Sequence, residues 1–166
     1  MDFLQYFDRF EQTADIEQAK FFLTMLFSML PVVELRGGLP FGVALGLRPI
    51  ESFWAAVIGN MLPIPFLIAF TRKVFIWLRR HIPVLEGFIH KLEIRAASKS
   101  DLVNKYKFWG LLILVAIPLP GTGAWTGALV AVITDLRMRS ALPAILFGVV
   151  IAGLIVLAVT YGVIAL

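Results

Sequence analysis

The sequence predicts an all-α integral membrane protein built as an inverted repeat. Each half is a re-entrant helical hairpin followed by a transmembrane helix, and a cytoplasmic amphipathic linker joins the halves. Three observations predict this. Hydrophobic residues fill 60% of the 166 positions and charged residues 16%, with a mean hydropathy of +0.89, against roughly half apolar and a quarter charged in soluble domains. Three stretches, 52–71, 108–134 and 140–166, carry no charge, and each reaches the roughly 20 residues that cross about 30 Å of hydrocarbon. Nine of the fifteen Lys and Arg fall between Arg72 and Lys107, against three acids, which assigns that segment to the cytoplasm by the positive-inside rule.

The elements follow in order. Residues 1–20 form an acidic segment in which Asp2, Asp8, Glu11, Asp15 and Glu17 outnumber Arg9 and Lys20, the reverse of a cleavable signal peptide. The first membrane repeat, 21–78, consists of a hairpin over 21–47 and a transmembrane helix over 52–78 that Pro63 and Pro65 should kink. The basic linker spans 79–107. Within it Ile82, Leu85, Ile89 and Leu92 recur with a helical period, so the segment reads as a helix on the inner leaflet with Lys91 and Arg95 toward lipid phosphates. The second repeat, 108–166, has a hairpin over 108–134 and a transmembrane helix over 140–166. Leu-Arg opens both "LRPIESFWAAVIGN" (47–60) and "LRMRSALPAILFGV" (136–149), and the same register sets Gly59 on Gly148.

Charge distribution selects hairpins over full crossings. Four full spans would put Arg137 and Arg139 outside, against the charge rule. Re-entrant hairpins keep both arginines cytoplasmic and leave the acidic N-terminus and the Arg48/Glu51 turn outside. The halves then have opposite topology and their tips approach the midplane from opposite faces, a transporter layout.

A chain that reverses inside hydrocarbon needs Gly and Pro and a covered backbone. The first tip, in "LPVVELRGGLPFG" (30–42), offers Pro31, Gly37, Gly38 and Pro40; the second, "IPLPGTGAWTGALVA" (117–131), offers Pro118, Pro120, Gly121 and Gly123, with Thr122 placed to cap the returning helix. Two helix N-termini should therefore converge near the midplane and favour an anionic group. Glu34 and Arg36 stand at the first tip, where an unpartnered charge costs roughly 2.5–3.5 kcal/mol or more. Glu34 is the candidate proton carrier, because burial favours its neutral form while Arg36 favours its charged form. Arg36 is the candidate for substrate charge or for the counter-ion of Glu34. The alternative is a mutually neutralising structural pair that pins the hairpin. Asn60, Trp125 and Thr126 are candidate cavity lining. Gly42 with Gly46, and Gly123 with Gly127, form G-x-x-x-G patterns that permit close helix contact.

Other chemistries are not expected. His81 and His90 have no metal-ligand spacing, and the absence of cysteine removes thiolate sites and disulfides. No metal, no cofactor and no nucleic acid are expected, nor a nucleophile–base arrangement or a phosphate-cradling loop.

The motifs "ELRGGLPFG" (34–42) and "PLPGTGAWTG" (118–127) resemble those of the bacterial and archaeal family of small multidrug export proteins, over about residues 20 to 166. In plan the paired hairpins are also similar to the DedA superfamily, a resemblance that implies a lipid-phosphate substrate moved with the help of membrane-embedded acids and arginines. The second hairpin here lacks an arginine-rich Pro motif.

The expected function is a proton-coupled secondary transporter in the cytoplasmic membrane, with membrane lipids around it and a small amphipathic substrate. A homodimer is expected, since so few helices barely enclose a cavity. A translocase of polyprenyl phosphate or another lipid phosphate is the first alternative, and a non-transporting membrane scaffold the second.

Overall fold

The computed structural model describes residues 3–81, 86–118 and 121–164, and among these the regular structure is helical. The chain begins with α1 (Phe3–Ser28), reverses over 29–33 and returns as α2 (Glu34–Ala44). No Gly or Pro interrupts residues 3–28, so the acidic N-terminal segment and the first hairpin arm form one continuous helix. A short turn leads to α3 (Pro49–Met61) and then α4 (Ile64–His81). Where the sequence predicts one kinked helix over 52–78, the chain forms two. Pro63 has no N–H to continue the ladder, and the backbone bonds resume as Leu67 N–H donates to the Pro63 carbonyl at 2.9 Å.

Next come α5 (Glu86–Ala97) and α6 (Ser100–Tyr106), then α7 (Phe108–Ala116), α8 (Ala124–Ile133) and α9 (Met138–Ile164). Among the described residues two stretches are long and apolar enough to cross a membrane, Pro49–Thr71 and Met138–Gly162. Together with the composition they make this a helical membrane protein.

Helices α1, α2 and α3 pack pairwise, and so do α7, α8 and α9. Between the two groups, α2 and α3 lie on α9 while α4 lies on α8 and α9. Glycine sets the closest approaches. A Cβ on Gly59 of α3 would meet the Met25 backbone of α1, and one on Gly148 of α9 would meet Val115 and the Leu112 carbonyl of α7. The positions aligned by the internal register thus bring the third helix of each group against its first.

The returning helices also end alike. At the end of α2, Leu45, Gly46 and Leu47 N–H donate to the carbonyls of Phe41, Val43 and Gly42; at the end of α8, Thr134, Asp135 and Leu136 donate to Val130, Val132 and Ala131. Gly46 at φ +87 and Asp135 at φ +52 supply the left-handed residue that such a helix end requires. Asp135 pays a steric cost that Gly46 avoids.

The core is apolar, with Leu35, Leu39, Phe53, Ile64, Leu111, Val130 and Ile145 almost fully buried. It also takes in Ala96 of α5 and Val103 of α6, both at most 1% exposed. The linker is therefore partly built into the body: α5 packs on α8, and α6 on α7 and α8. Of its expected apolar stripe, Ile82 and Leu85 lie outside the described residues, as do the Ile89 and Leu92 side chains.

Candidate functional site: the junction of the two turns

The turn between α1 and α2 meets the turn between α7 and α8, and Glu34 makes the join. Glu34 is the first residue of α2, with its N–H donating to the Leu30 carbonyl at 2.9 Å and its backbone in the left-handed region at φ +50. A non-glycine residue held there costs about 1–3 kcal/mol and persists where its surroundings require it. The surroundings are the start of α8. Trp125 N–H donates to Glu34 Oε1 at 3.2 Å, and the carboxylate lies over Gly123, where any Cβ would collide with it. Gly123 is the N-cap residue of α8 and makes no side-chain capping bond. Glu34, from the other hairpin, takes that role, accepting the Trp125 N–H at the positive dipole end of the helix. Only 7% of the residue is exposed.

Arg36 makes the second tie. Its Nη2 donates to Thr122 Oγ1 at 3.0 Å and to the Ile117 carbonyl at 3.4 Å, and the Thr122 hydroxyl donates to that same carbonyl at 2.8 Å. Thr122 was expected to cap α8. Instead it braces the turn before the helix, because the cap position falls one residue later, on Gly123.

Lys99 completes the cluster and was not foreseen. It precedes α6, and its Nζ donates to the carbonyl of Gly121, a residue at φ +74 in the second turn. The charges of both Arg36 and Lys99 act on the Glu34 carboxylate. Lys99 is one of seven basic residues in a linker, 79–107, that reads as a surface element, and nothing in that composition distinguishes it from its neighbours.

The remaining predicted residues are spread over the two turns and over α2, α3 and α8. Pro31 lies in the first turn and is exposed, and Pro118 lies half-buried in the second. Pro120 is outside the described residues. Gly37, Gly38 and Pro40 are not at the reversal but inside α2. The correction has a packing reason: the Ser28 side chain of α1 fills the space of a Cβ on Gly38, and Gly37 sits against Val33. Asn60 is buried on α3 with its side-chain oxygen lacking a hydrogen-bond partner, and Trp125 leaves its buried indole N–H in the same condition. Thr126 is half-buried on α8. Among the described residues no group of His, Cys, Asp or Glu could hold a metal ion.

Among the described residues, then, a helical membrane protein has a buried carboxylate joining two interrupted helical segments. Residues 34–155 match the family model described as "Putative small multi-drug export protein", and the chain belongs to that family. The match begins at Glu34, where the first turn ends, and covers the second. No curated protein and no solved structure matches the chain, and the likeness to the DedA superfamily gains no support from these comparisons.

Proposed function

We propose that the protein is a secondary transporter of the cytoplasmic membrane that moves a small amphipathic substrate, with Glu34 as its proton carrier. The observation that carries this reading is the Glu34 carboxylate held across the junction by the Trp125 N–H. Protonation would replace an ionic cap on α8 by a neutral one. Charge-assisted hydrogen bonds are roughly twice as strong as neutral ones, and a charge at a helix N-terminus contributes about 0.3–2 kcal/mol. The tie between the two turns would therefore loosen by an amount comparable to typical coupling energies of about 1–3 kcal/mol. That suffices to bias a two-state opening of the junction.

An inverted-repeat arrangement would support an alternating cycle. Matching helix ends, matching glycine contacts and matching pairwise packing favour two equivalent halves. In the same register Glu34 corresponds to Gly123, and these two positions touch, as positions beside a two-fold axis do. The two connecting turns differ in charge: Arg48 is paired with Glu51, whereas Arg137 and Arg139 are both exposed. This favours opposite faces of the membrane for the two turns, with the arginine pair cytoplasmic.

A homodimer fits the first turn, where Val32 is 93% and Leu30 48% exposed. Irregular backbone at membrane depth must be covered by protein or water. A second copy would supply the cover.

Gradient-driven uptake tests the proposal. Vesicles containing the protein, with a pH gradient imposed, should accumulate at least one of a set of amphipathic probes of differing charge. Glu34→Gln should lose accumulation and keep its fold. Full gradient-driven uptake by that variant would refute proton carriage by Glu34.

A further inference from the structure

Away from the junction, the membrane crossing Pro49–Thr71 is interrupted at a point where oxygens lack donors. Pro63 and Pro65 have no N–H, so the carbonyls of Gly59 and Met61, four residues before them, lose their helical donors. Asn60 stands between the two. It is 2% exposed, and its Oδ1 has no hydrogen-bond partner. The end of α1 closes on the same point, because the Met25 carbonyl oxygen lies against Gly59. The closing bonds of α1, from Met29 N–H to the Met25 and Leu26 carbonyls, are long at 3.2 Å. Two helix C-termini, each the negative end of its dipole, thus adjoin next to a buried amide oxygen.

The second half of the chain crosses without any of this. In the internal register Asn60 falls on Val149, Pro63 on Ala152 and Pro65 on Leu154, and α9 runs through these positions as one helix. Val149 is as deeply buried as Asn60, at 1% exposed. An apolar residue therefore suits the packing, and burying an amide oxygen without a donor is costly. The amide and the two prolines occur together on α3 and α4 and are both missing from α9.

We propose that the break between α3 and α4 binds a sodium ion, with Asn60 Oδ1 and the Gly59 and Met61 carbonyls as its ligands. Interrupted membrane helices coordinate sodium through carbonyls freed in this way. All three ligands are neutral and residues 52–71 carry no charge, so a divalent ion, whose sites draw on carboxylates, would lack compensation. A bare ion asks only for oxygens. An organic cation would need room beside α3, and the Met25 backbone fills the place beside Gly59. The site shares no residue with the junction, so it stands or falls apart from proton carriage by Glu34.

Thermal unfolding of the full-length protein in sodium-free detergent, titrated with sodium chloride against choline chloride at constant ionic strength, tests this. Sodium should raise the melting temperature saturably, by about 5 °C once it is about a hundredfold above its Kd. Choline should not. Asn60→Val, which copies the equivalent residue of α9, should fold and lose the response. Asn60→Asp should keep it with an affinity raised at least about tenfold, since a charged oxygen ligand holds a cation more tightly. Equal melting of the wild-type protein in the two salts would overturn the inference without need of a variant, and so would a sodium response in Asn60→Val equal to that of the wild type.

Discussion

Glu34 and Gly123 share one space: the carboxylate of the first lies where a side chain on the second would stand. The bond that holds it there, from Trp125 N–H, spans 91 positions of sequence. Gly123 is needed here for its missing Cβ rather than for backbone freedom, since its φ of −84 is open to any residue.

Gly123→Ala should therefore expel the carboxylate from its seat. Overpacking of this kind costs typically about 1–3 kcal/mol. Combined with Glu34→Ala the penalty should fall below the sum of the two single effects, with a coupling of about 0.5–3 kcal/mol. Thermal or denaturant unfolding of the four proteins in detergent measures it, and additive effects would show that the two positions do not meet.

Arg36 and Thr122 form the second tie, and here the expected cost is smaller than for a buried ion pair. Arg36 is half-buried and donates to uncharged oxygens, so Arg36→Ala should cost about 1.5–3 kcal/mol. Thr122→Val should cost about 0.5–1.5 kcal/mol, and less still once Arg36 is gone. Arg36→Lys should not fully restore the tie, because both bonds leave Nη2 at the far end of the guanidinium and the lysine ammonium ends a differently shaped, more flexible side chain. Unfolding measurements on the three single variants and on the Arg36→Ala, Thr122→Val double variant check all three statements.

Gly59 and Gly148 should respond alike. Each allows the third helix of its group to reach the backbone of the first, and a methyl group would separate them by overpacking, at about 1–3 kcal/mol. Gly162, with nothing near its Cβ position, is the control and should tolerate alanine. A large effect at Gly59 with none at Gly148 would argue against equivalent halves.

Much of this was legible because hydrocarbon leaves few options. Uncharged stretches bounded by charge become helices, and a carboxylate two residues from a guanidinium in such a stretch marks a polar site, so Glu34 and Arg36 stood out. The placement of Gly37, Gly38 and Pro40 was not legible, since Gly and Pro serve both chain reversal and close helix packing, and only the presence of Ser28 opposite Gly38 decides between them. The capping of α8 by Glu34 could not be read from either motif alone, because cap rules look within a few residues and this cap comes from the other hairpin. Lys99 was hidden among similar neighbours. The break at Pro63 was legible as a kink, and its completeness was not.

Topology can be checked on intact cells. Cysteine placed at Lys99 or at Ser140 should react with an impermeant thiol reagent only from the cytoplasmic side, and cysteine at Glu51 only from outside. Lys99 is bonded to the second turn, so its replacement also loosens the junction, and Ser140 gives the cleaner reading. Labelling of Ser140 from outside would restore full crossings in place of the second hairpin.

The central claim is that the buried Glu34 changes protonation while bridging the two turns. Infrared difference spectroscopy of the membrane-reconstituted protein, recorded while the pH is lowered in steps, observes this directly. The account predicts a carboxylic acid band that appears as the pH falls and is missing in Glu34→Gln. A band unchanged by that substitution, or a Glu34 that stays in one protonation state across the whole range, would contradict it.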